Sequence, residues 1–374
     1  MKTYDLAIIG LGAMGSAGIY HAIQHGLNVI GFDQYEPPHT LGSSHGQTRV
    51  IREAYFEDPA YVPLLQSAYR HWQHLQAHWQ EPILELTGGL MIGPPESELV
   101  QGCLRSAREH QLAHAYLHHA ELKQNHPNFQ LPKAFVAVSE PRAGFVYSEN
   151  AIRAHLQLAR EQGARILTND PVQSWQKTSE GFEIQSTSGS YLARRLAICS
   201  GAWMPHMQQC FPLQVTRQVL FWFKPLQAEA FKPEHFGVFL LELAKDHYLY
   251  GFPDIGEGFK VAIHYTGEPI NPADLSQASV TEAEIAEMRT YLQQYLPGAN
   301  GELLKTAVCM YTNAPDGHFV IDADPEIPDL LWVSPCSGHG YKFASTVGEI
   351  VATWAQGQTP AYDLSLFSAG RFSS

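Results

Sequence analysis

One histidine and two arginines fall within eight residues of a loop rich in glycine and serine, in Ser43-Ser-His45-Gly-Gln-Thr-Arg49-Val-Ile-Arg52-Glu-Ala-Tyr-Phe-Glu57. An arginine presents a planar fork of donors that matches a carboxylate or a phosphate. The pair therefore reads as an anion site, with a solvated basic turn as the plain alternative. Lys260 and His264 are four apart on one strand-like stretch, Phe259-Lys-Val-Ala-Ile-His264. That spacing puts both on one face. Lys260 is then either a snorkelling edge residue or a cation in a cleft that steadies a developing anion. Ser337-Gly338-His-Gly340-Tyr-Lys342-Phe is a glycine turn into a helix. Lys342 sits in the first turn, where the helix dipole disfavours it, and a ligand-facing role explains that misfit. Cys309 lies in an apolar stretch and reads from its neighbours alone as a buried core thiol. No His pair has metal-ligand spacing with a carboxylate partner, and no G-x-S-x-G elbow occurs.

These groups need a scaffold, and residues 5–33 supply its first part. They run strand, Gly10-Leu-Gly12-Ala13-Met14-Gly15, helix, second strand, Asp33. In such a turn the first glycine permits the bend, the second lets backbone approach a pyrophosphate, and the third lets the helix pack on the sheet. Asp33 follows Gly10 by 23 residues, where an acid holds a ribose hydroxyl. The motif predicts a dinucleotide without saying which.

Further along, apolar spacing predicts a helix over 61–79, strands around a glycine turn at 83–93, and a helix over 150–162 capped by Ser148 and closed by Gly163. Strands are expected at 165–168 and 172–175, a hairpin at 181–192, and an apolar strand from Leu196 into the Gly201-Ala-Trp203 turn. Residues 214–266 alternate as antiparallel strands, 280–296 as a helix, 306–321 as strand, and 330–333 with 344–356 as a last strand and helix. The expected fold is α/β (α+β overall): a Rossmann-like nucleotide-binding domain from 1–82, 148–212 and 318–374, interleaved with a mainly antiparallel substrate domain from 83–147 and 213–317.

Composition narrows the classes. The chain has 374 residues, 45% hydrophobic and 16% charged, with a net charge of −13. That acidity argues against nucleic acid and anionic membrane surfaces. No apolar run approaches the ~20 residues of a membrane span. Five scattered cysteines suit neither a disulfide framework nor a zinc site, so a reducing cytoplasm is the expected location.

Several longer blocks carry a resemblance. They are Pro-Pro-His-Thr with Gly-Ser-x-His-Gly-x-Thr-Arg-x-Ile-Arg at 37–52, Tyr-Gly-Phe-Pro at 250–253, Pro-Gly-Ala-Asn-Gly-Glu-Leu at 297–303, Val-Cys-Met-Tyr-Thr at 308–312 and Ser-Gly-His-Gly-Tyr-Lys-Phe at 337–343. With these, the chain resembles the monomeric sarcosine oxidase family of flavoproteins, which includes N-methyltryptophan oxidase, over nearly its whole length. The resemblance implies FAD, joined through a cysteine sulfur at the position of Cys309. It implies that Arg52 and Lys342 hold a substrate carboxylate, with Gly338 and Tyr250 lining the pocket and His264 within it. Lys260 becomes the lysine that promotes reaction with O2, and His45 and Arg49 lie beside the flavin. The cofactor-binding set it implies is Gly10, Gly12, Ala13, Met14, Gly15, Asp33, Ser43, Arg49, Val172, Gly201, Trp203, Cys309, Gly338, Gly340 and Lys342.

The implied reaction oxidises a secondary amino acid to an imine that hydrolyses, with O2 reduced to H2O2, in a monomer whose only partners are substrate and O2. The alternatives are a cyclic imino acid or glycated substrate on the same scaffold, a dehydrogenase with another acceptor, or a non-enzymatic flavin module. Ser44, Gln47 and Glu53 depart from the family pattern, and Glu53 is expected to add a negative charge near the anion site.

Overall fold

Two eight-stranded sheets and a three-stranded one account for the strands of the computed structural model, which describes residues 3–208, 210–265 and 267–372. The first sheet has a parallel centre. Thr3–Ile9 lies between Val29–Phe32 and Gly189–Ile198, followed outward by Arg165–Leu167 and Leu330–Ser334. Its central strands are apolar on both faces, Leu6 and Ile8 packing with the helices and Ala7 and Ile9 with Phe182, Ile184, Met204 and Phe211. The predicted hairpin forms as Gly181–Ser186 against the start of Gly189–Ile198, with Val172–Thr178 outside it.

Helix Ala13–Gln24 follows the first strand and packs against helices Ser148–Glu161 and Ala344–Ala355. Gly10 has φ +89°, and a Cβ there would fall 2.6 Å from the Cys199 carbonyl oxygen. A Cβ on Gly15 would fall 1.8 Å from the Gly10 carbonyl oxygen. Both glycines are therefore demanded by the protein's own packing.

The second sheet runs Leu303–Asn313, Gln214–Phe223, Phe259–His264, His247–Gly251, Val238–Ala244, Gly89–Gly93, Val136–Glu140, Ala115–Leu117. Only the pair Val238–Ala244 with Gly89–Gly93 is parallel. Strand alternation gives this sheet two unlike faces. One face carries Phe221, Phe223, Phe239 and Phe259, which pack under helix Glu282–Tyr295 through Met288 and Leu292. The register places Gln218 opposite Cys309, Trp222 opposite Lys260, and Tyr248 opposite His264. Those residues, with Tyr250 and Tyr311, alternate with the phenylalanine set and so occupy the other face.

Thr48–Ile51, Gly144–Tyr147 and Leu84–Glu85 form the small sheet. Every strand of the first large sheet lies within 1–82, 148–212 or 318–374, and every strand of the second within 83–147 or 213–317. The small sheet draws on both sets.

Three local expectations change. Ser148 opens its helix instead of capping it. Tyr147 stands at the N-cap position, and the Ser148 hydroxyl donates to Glu149 Oε2 at 2.7 Å. The stretch 306–321 is two strands in two sheets, Leu303–Asn313 and Val320–Ala323, parted by a turn at Ala314–Gly317. Residues 83–93 also divide, with Leu84–Glu85 and Gly89–Gly93 in different sheets. The helix expected over 61–79 forms as Val62–Ala77, and Glu98–Glu109, His119–Asn125 and the short Met204–Met207 are the remaining α-helices among the described residues. Among the described residues no helix is long and apolar enough to cross a membrane.

His21 and His155 are buried where the cofactor-side helices meet. Burial pushes His155 down to about 3, with His71 adding to it. Burial also drives His21 well below the usual range, helped by His71 and His155. An unfolded histidine binds its proton near 6.5. The unfolded chain therefore takes up these protons first, and stability falls as pH drops below about 6.5. Each such histidine contributes a slope of about 1.4 kcal/mol per pH unit. We expect His155→Leu to flatten the fall in melting temperature between pH 7 and pH 5; an unchanged slope would contradict it.

Candidate active site

A cavity of about 650 Å³ runs from the glycine turn to the polar face of the antiparallel sheet. Of the residues singled out from sequence, Gly10, Gly12, Ala13, Met14, Asp33, Ser43, Arg49, Arg52, Val172, Gly201 and Trp203 border it. So do Tyr250, His264, Cys309, Gly338, Gly340 and Lys342. Three do not: Gly15, His45 and Lys260. Gly15 packs on Gly10, His45 sits behind Cys309, and Lys260 is covered by the loop at 46–48.

Cys309 is 3% exposed. Burial pulls its thiol up, but a hydrogen bond and charge from His45, with the Arg49 guanidinium, outweigh that and bring it down to about 7. Arg49 Nη2 donates to the Ser43 and His45 carbonyls at 2.8 and 2.6 Å and lies 3.8 Å from the sulfur. The core-thiol reading of this residue is thus incomplete, since the sulfur is buried yet ionisable and faces the cavity.

Arg52 donates through Nη2 to both carboxylate oxygens of Glu57, at 3.0 and 2.8 Å, and through Nη1 to the Ala54 carbonyl at 2.8 Å. Its plane stacks on Tyr55 and Phe56. Burial alone would raise the Glu57 carboxyl, yet Arg52, His339 and Lys342 hold it down at about 2. Lys342 Nζ donates to the His339 carbonyl at 2.6 Å. Burial, with Arg52 beside it, lowers Lys342 to about 7. Arg52, with Lys342 half protonated near pH 7, therefore forms a cationic corner with one internal carboxylate.

His264 Nδ1 lies 3.2 Å from the Tyr311 hydroxyl, and Tyr311 in turn bonds Tyr250. Burial drives His264 down to about 4, so it is neutral at pH 7. His339 Nε2 donates to the Gly317 carbonyl at 3.0 Å, which leaves Nδ1 to accept from Tyr55 at 2.5 Å.

Lys260 is 3% exposed and donates to the Gly46 and Thr48 carbonyls at 2.6 and 2.7 Å. Burial, then the Arg49 charge, pushes it well below the ordinary lysine range. Glu53 also differs from expectation. It does not border the cavity, and its carboxylate faces Arg142 at 3.6 Å. Its charge turns away because Arg52 takes the cavity side of the chain.

Sequence reading missed Glu57, Tyr311, His339, Tyr55 and Glu149. Tyr311 had a signal, being two residues from Cys309 on one strand.

Among known proteins, the model of the FAD dependent oxidoreductase family matches residues 5–354. The chain belongs to the FAD dependent oxidoreductase family. A monomeric sarcosine oxidase of Streptomyces avermitilis is 39% identical over 100% of this chain and 98% of its own. An N-methyl-L-tryptophan oxidase of Salmonella agona is 38% identical over 99% of both. Among solved structures, L-proline dehydrogenase from P. horikoshii superposes with a TM-score of 0.85 at 19% identity, covering 100% of this chain and 98% of that one. The likeness to the sarcosine oxidase group and the mixed α/β fold both stand.

The cavity of this FAD dependent oxidoreductase suits its cofactor. The Ala13–Gln24 helix has no capping side chain and no acid in its first turn, which leaves its amide N–H groups for phosphate. A Cβ on Gly12 would meet nothing nearer than Ser44 Oγ at 3.7 Å, so the space beside this cavity residue is left for a ligand. Ser43 Oγ is buried in the wall without a hydrogen-bond partner. Asp33 accepts the Leu11 and Tyr35 N–H groups at 2.8 and 2.9 Å and keeps lone pairs for a ribose hydroxyl. Among the described residues no cluster of His, Cys, Asp and Glu could hold a metal ion.

Proposed function

We propose that this chain is an oxidase of N-methyl amino acids, sarcosine among them, acting as a cytoplasmic monomer with O2 as acceptor. The observation that carries the reading is the cationic corner of Arg52 and Lys342 on the wall of a cavity shared with Cys309. A flavin module that only stored its cofactor would have no use for that corner.

FAD, when bound, would supply the two-electron chemistry, taking a hydride equivalent from the carbon beside the amine nitrogen and returning both electrons to O2 as H2O2. The chain's residues do the rest. Arg52 leaves Glu57 to grip the incoming carboxylate with Lys342, a charge-assisted clamp that fixes the amine end. Neutral His264 and the Tyr250–Tyr311 pair line the amine side. The imine product hydrolyses to an amine and an aldehyde once released. Cys309 tethers the cofactor, His45 and Arg49 having lowered its free thiol to about 7 so that the thiolate is available before the bond forms. The segments 1–82, 148–212 and 318–374 form the FAD-binding domain, which also lends Arg52 and Lys342 to the substrate, and 83–147 with 213–317 form the substrate domain, which lends Cys309 to the cofactor.

Lys260 supplies positive charge through the 46–48 loop to the negative charge developing on O2. Lys260→Met is expected to slow flavin reoxidation by O2 at least tenfold while anaerobic reduction by substrate changes less. Stopped-flow traces showing equal oxygen kinetics would remove that role.

A peroxide assay across amines tests the substrate class. Sarcosine and larger N-methyl amino acids should be oxidised, while sarcosine amide, which lacks the carboxylate, should lose most of kcat/KM. Equal turnover of acid and amide would end the carboxylate reading. Oxidation of only pipecolate-like or glycated amines would reassign the substrate, and flavin reduction without oxygen consumption would reassign the acceptor.

A further inference from the structure

The strand that bears Arg49, and leads directly into Arg52, is gripped at one end by a buried carboxylate and at the other by a half-buried one. Thr48–Ile51 pairs antiparallel with Gly144–Tyr147, Thr48 opposite Tyr147 and Ile51 opposite Gly144. That register carries the residues before the partner strand to one end of the arginine strand, and those after it to the other. Glu140, 1% exposed, takes the Glu53 N–H on Oε1 at 2.6 Å and the Ala54 N–H on Oε2 at 2.8 Å. Glu149 takes the Gly46 and Gln47 N–H groups on Oε1 at 2.7 and 3.1 Å.

Each carboxylate thus receives two consecutive N–H groups, which a regular strand never points the same way. What each grip aims differs. The Ala54 carbonyl, one residue past Glu53, accepts Arg52 Nη1 at 2.8 Å. The Gly46 and Thr48 carbonyls accept Lys260 Nζ. Gly46 and Gln47 both have positive φ, +96° and +71°. For Gln47 that conformation is unfavourable unless its surroundings enforce it. Glu149 enforces it from one side, and Trp222 Nε1, donating to Gln47 Oε1 at 2.7 Å, from the other.

We propose that Glu140 and Glu149 are separate positioning residues, Glu140 setting Arg52 for the substrate carboxylate and Glu149 setting the carbonyl cradle of Lys260. This rests on the roles given to Arg52 and Lys260 above. Neither glutamate borders the cavity, so neither touches substrate or cofactor.

The test uses holoenzymes of Glu140→Gln, whose amide keeps one acceptor and turns a donor towards the second N–H, and of Glu149→Leu, since Glu149 Oε1 takes both N–H groups and a glutamine oxygen would still do so. Two quantities are read for each: the Kd of acetate from the flavin absorbance change, and the rate of reoxidation by O2 after anaerobic photoreduction. Glu140→Gln should raise the acetate Kd at least tenfold with reoxidation within twofold. Glu149→Leu should slow reoxidation at least tenfold with the acetate Kd within twofold. If either variant does not fold, the aspartate variant, which keeps the charge but withdraws the oxygens, should show the same split. Both readouts moving together, or neither moving while only the melting temperature falls, overturns the proposal. Acetate that fails to bind the parent overturns the carboxylate clamp itself, and unchanged reoxidation in Lys260→Met overturns the Lys260 role, leaving the Glu140 arm to be judged alone.

Discussion

Acid-precipitated parent protein should give a yellow pellet, and Cys309→Ala a colourless one with its flavin in the supernatant. The thiolate is the nucleophilic form of cysteine. A thiol at its ordinary pKa is only a few per cent ionised at pH 7, whereas Cys309 at about 7 is half ionised there. That difference is more than tenfold in reactive sulfur before any geometric advantage. His45 and Arg49 cause it, against the opposing effect of burial, so His45→Asn should slow cofactor attachment in apoprotein mixed with FAD. Attachment should also accelerate as pH rises through 7 and level off above 8. A parent pellet that bleaches completely would refute the tether, while leaving FAD binding at the glycine turn untouched.

Arg52→Met is expected to raise the KM for sarcosine at least about 30-fold. Removing one partner of a hydrogen-bonded, desolvated charge pair costs about 2–5 kcal/mol, or roughly 30-fold to several thousand-fold. Arg52→Lys should recover little, because an ammonium lacks the fork that meets both oxygens. The internal partner complicates the measurement. With Arg52 gone, Glu57 loses the charge that holds it down at about 2, and the carboxylate destabilises the fold until it protonates. The double variant Arg52→Met, Glu57→Gln removes that side effect and should keep the high KM with a melting temperature closer to the parent's. Glu57→Gln alone should lower the KM, since substrate no longer displaces a competing carboxylate. A single Arg52 variant with parental KM would contradict the clamp.

Much of this was legible in order along the chain, because it depends on short-range chemistry. The Gly10–Gly15 turn with Asp33 announced a dinucleotide, since a bend, a close approach and an acid at a strand end are local requirements. The period-two alternation over 214–266 announced an antiparallel sheet, and Arg49, Arg52 and Lys342 announced an anion by residue type. Other features were invisible because they depend on which strands become neighbours. Cys309 looked inert until the register brought its strand against Gln214–Phe223 and the loop with His45 and Arg49 over the sulfur. Lys260 was open between a snorkelling edge residue and a cation in a cleft, but its strand lies inside the sheet and the 46–48 carbonyls cover it. Glu53 looked like a charge at the anion site until it turned to Arg142.

The sequence by itself determined that the chain binds a dinucleotide, builds one parallel and one antiparallel sheet, and gathers cations for an anion. The resemblance of its longer blocks named the flavin and the amine chemistry. Only the tertiary structure decided the ionisation of Cys309, the pairing of Arg52 with Glu57, and the two carboxylate grips on the arginine strand. Those properties belong to pairs of groups distant in the chain, such as Arg49 and Cys309, or Glu149 and Gly46. Their energies vary with ångström separations and with exclusion of water, and residue spacing encodes neither.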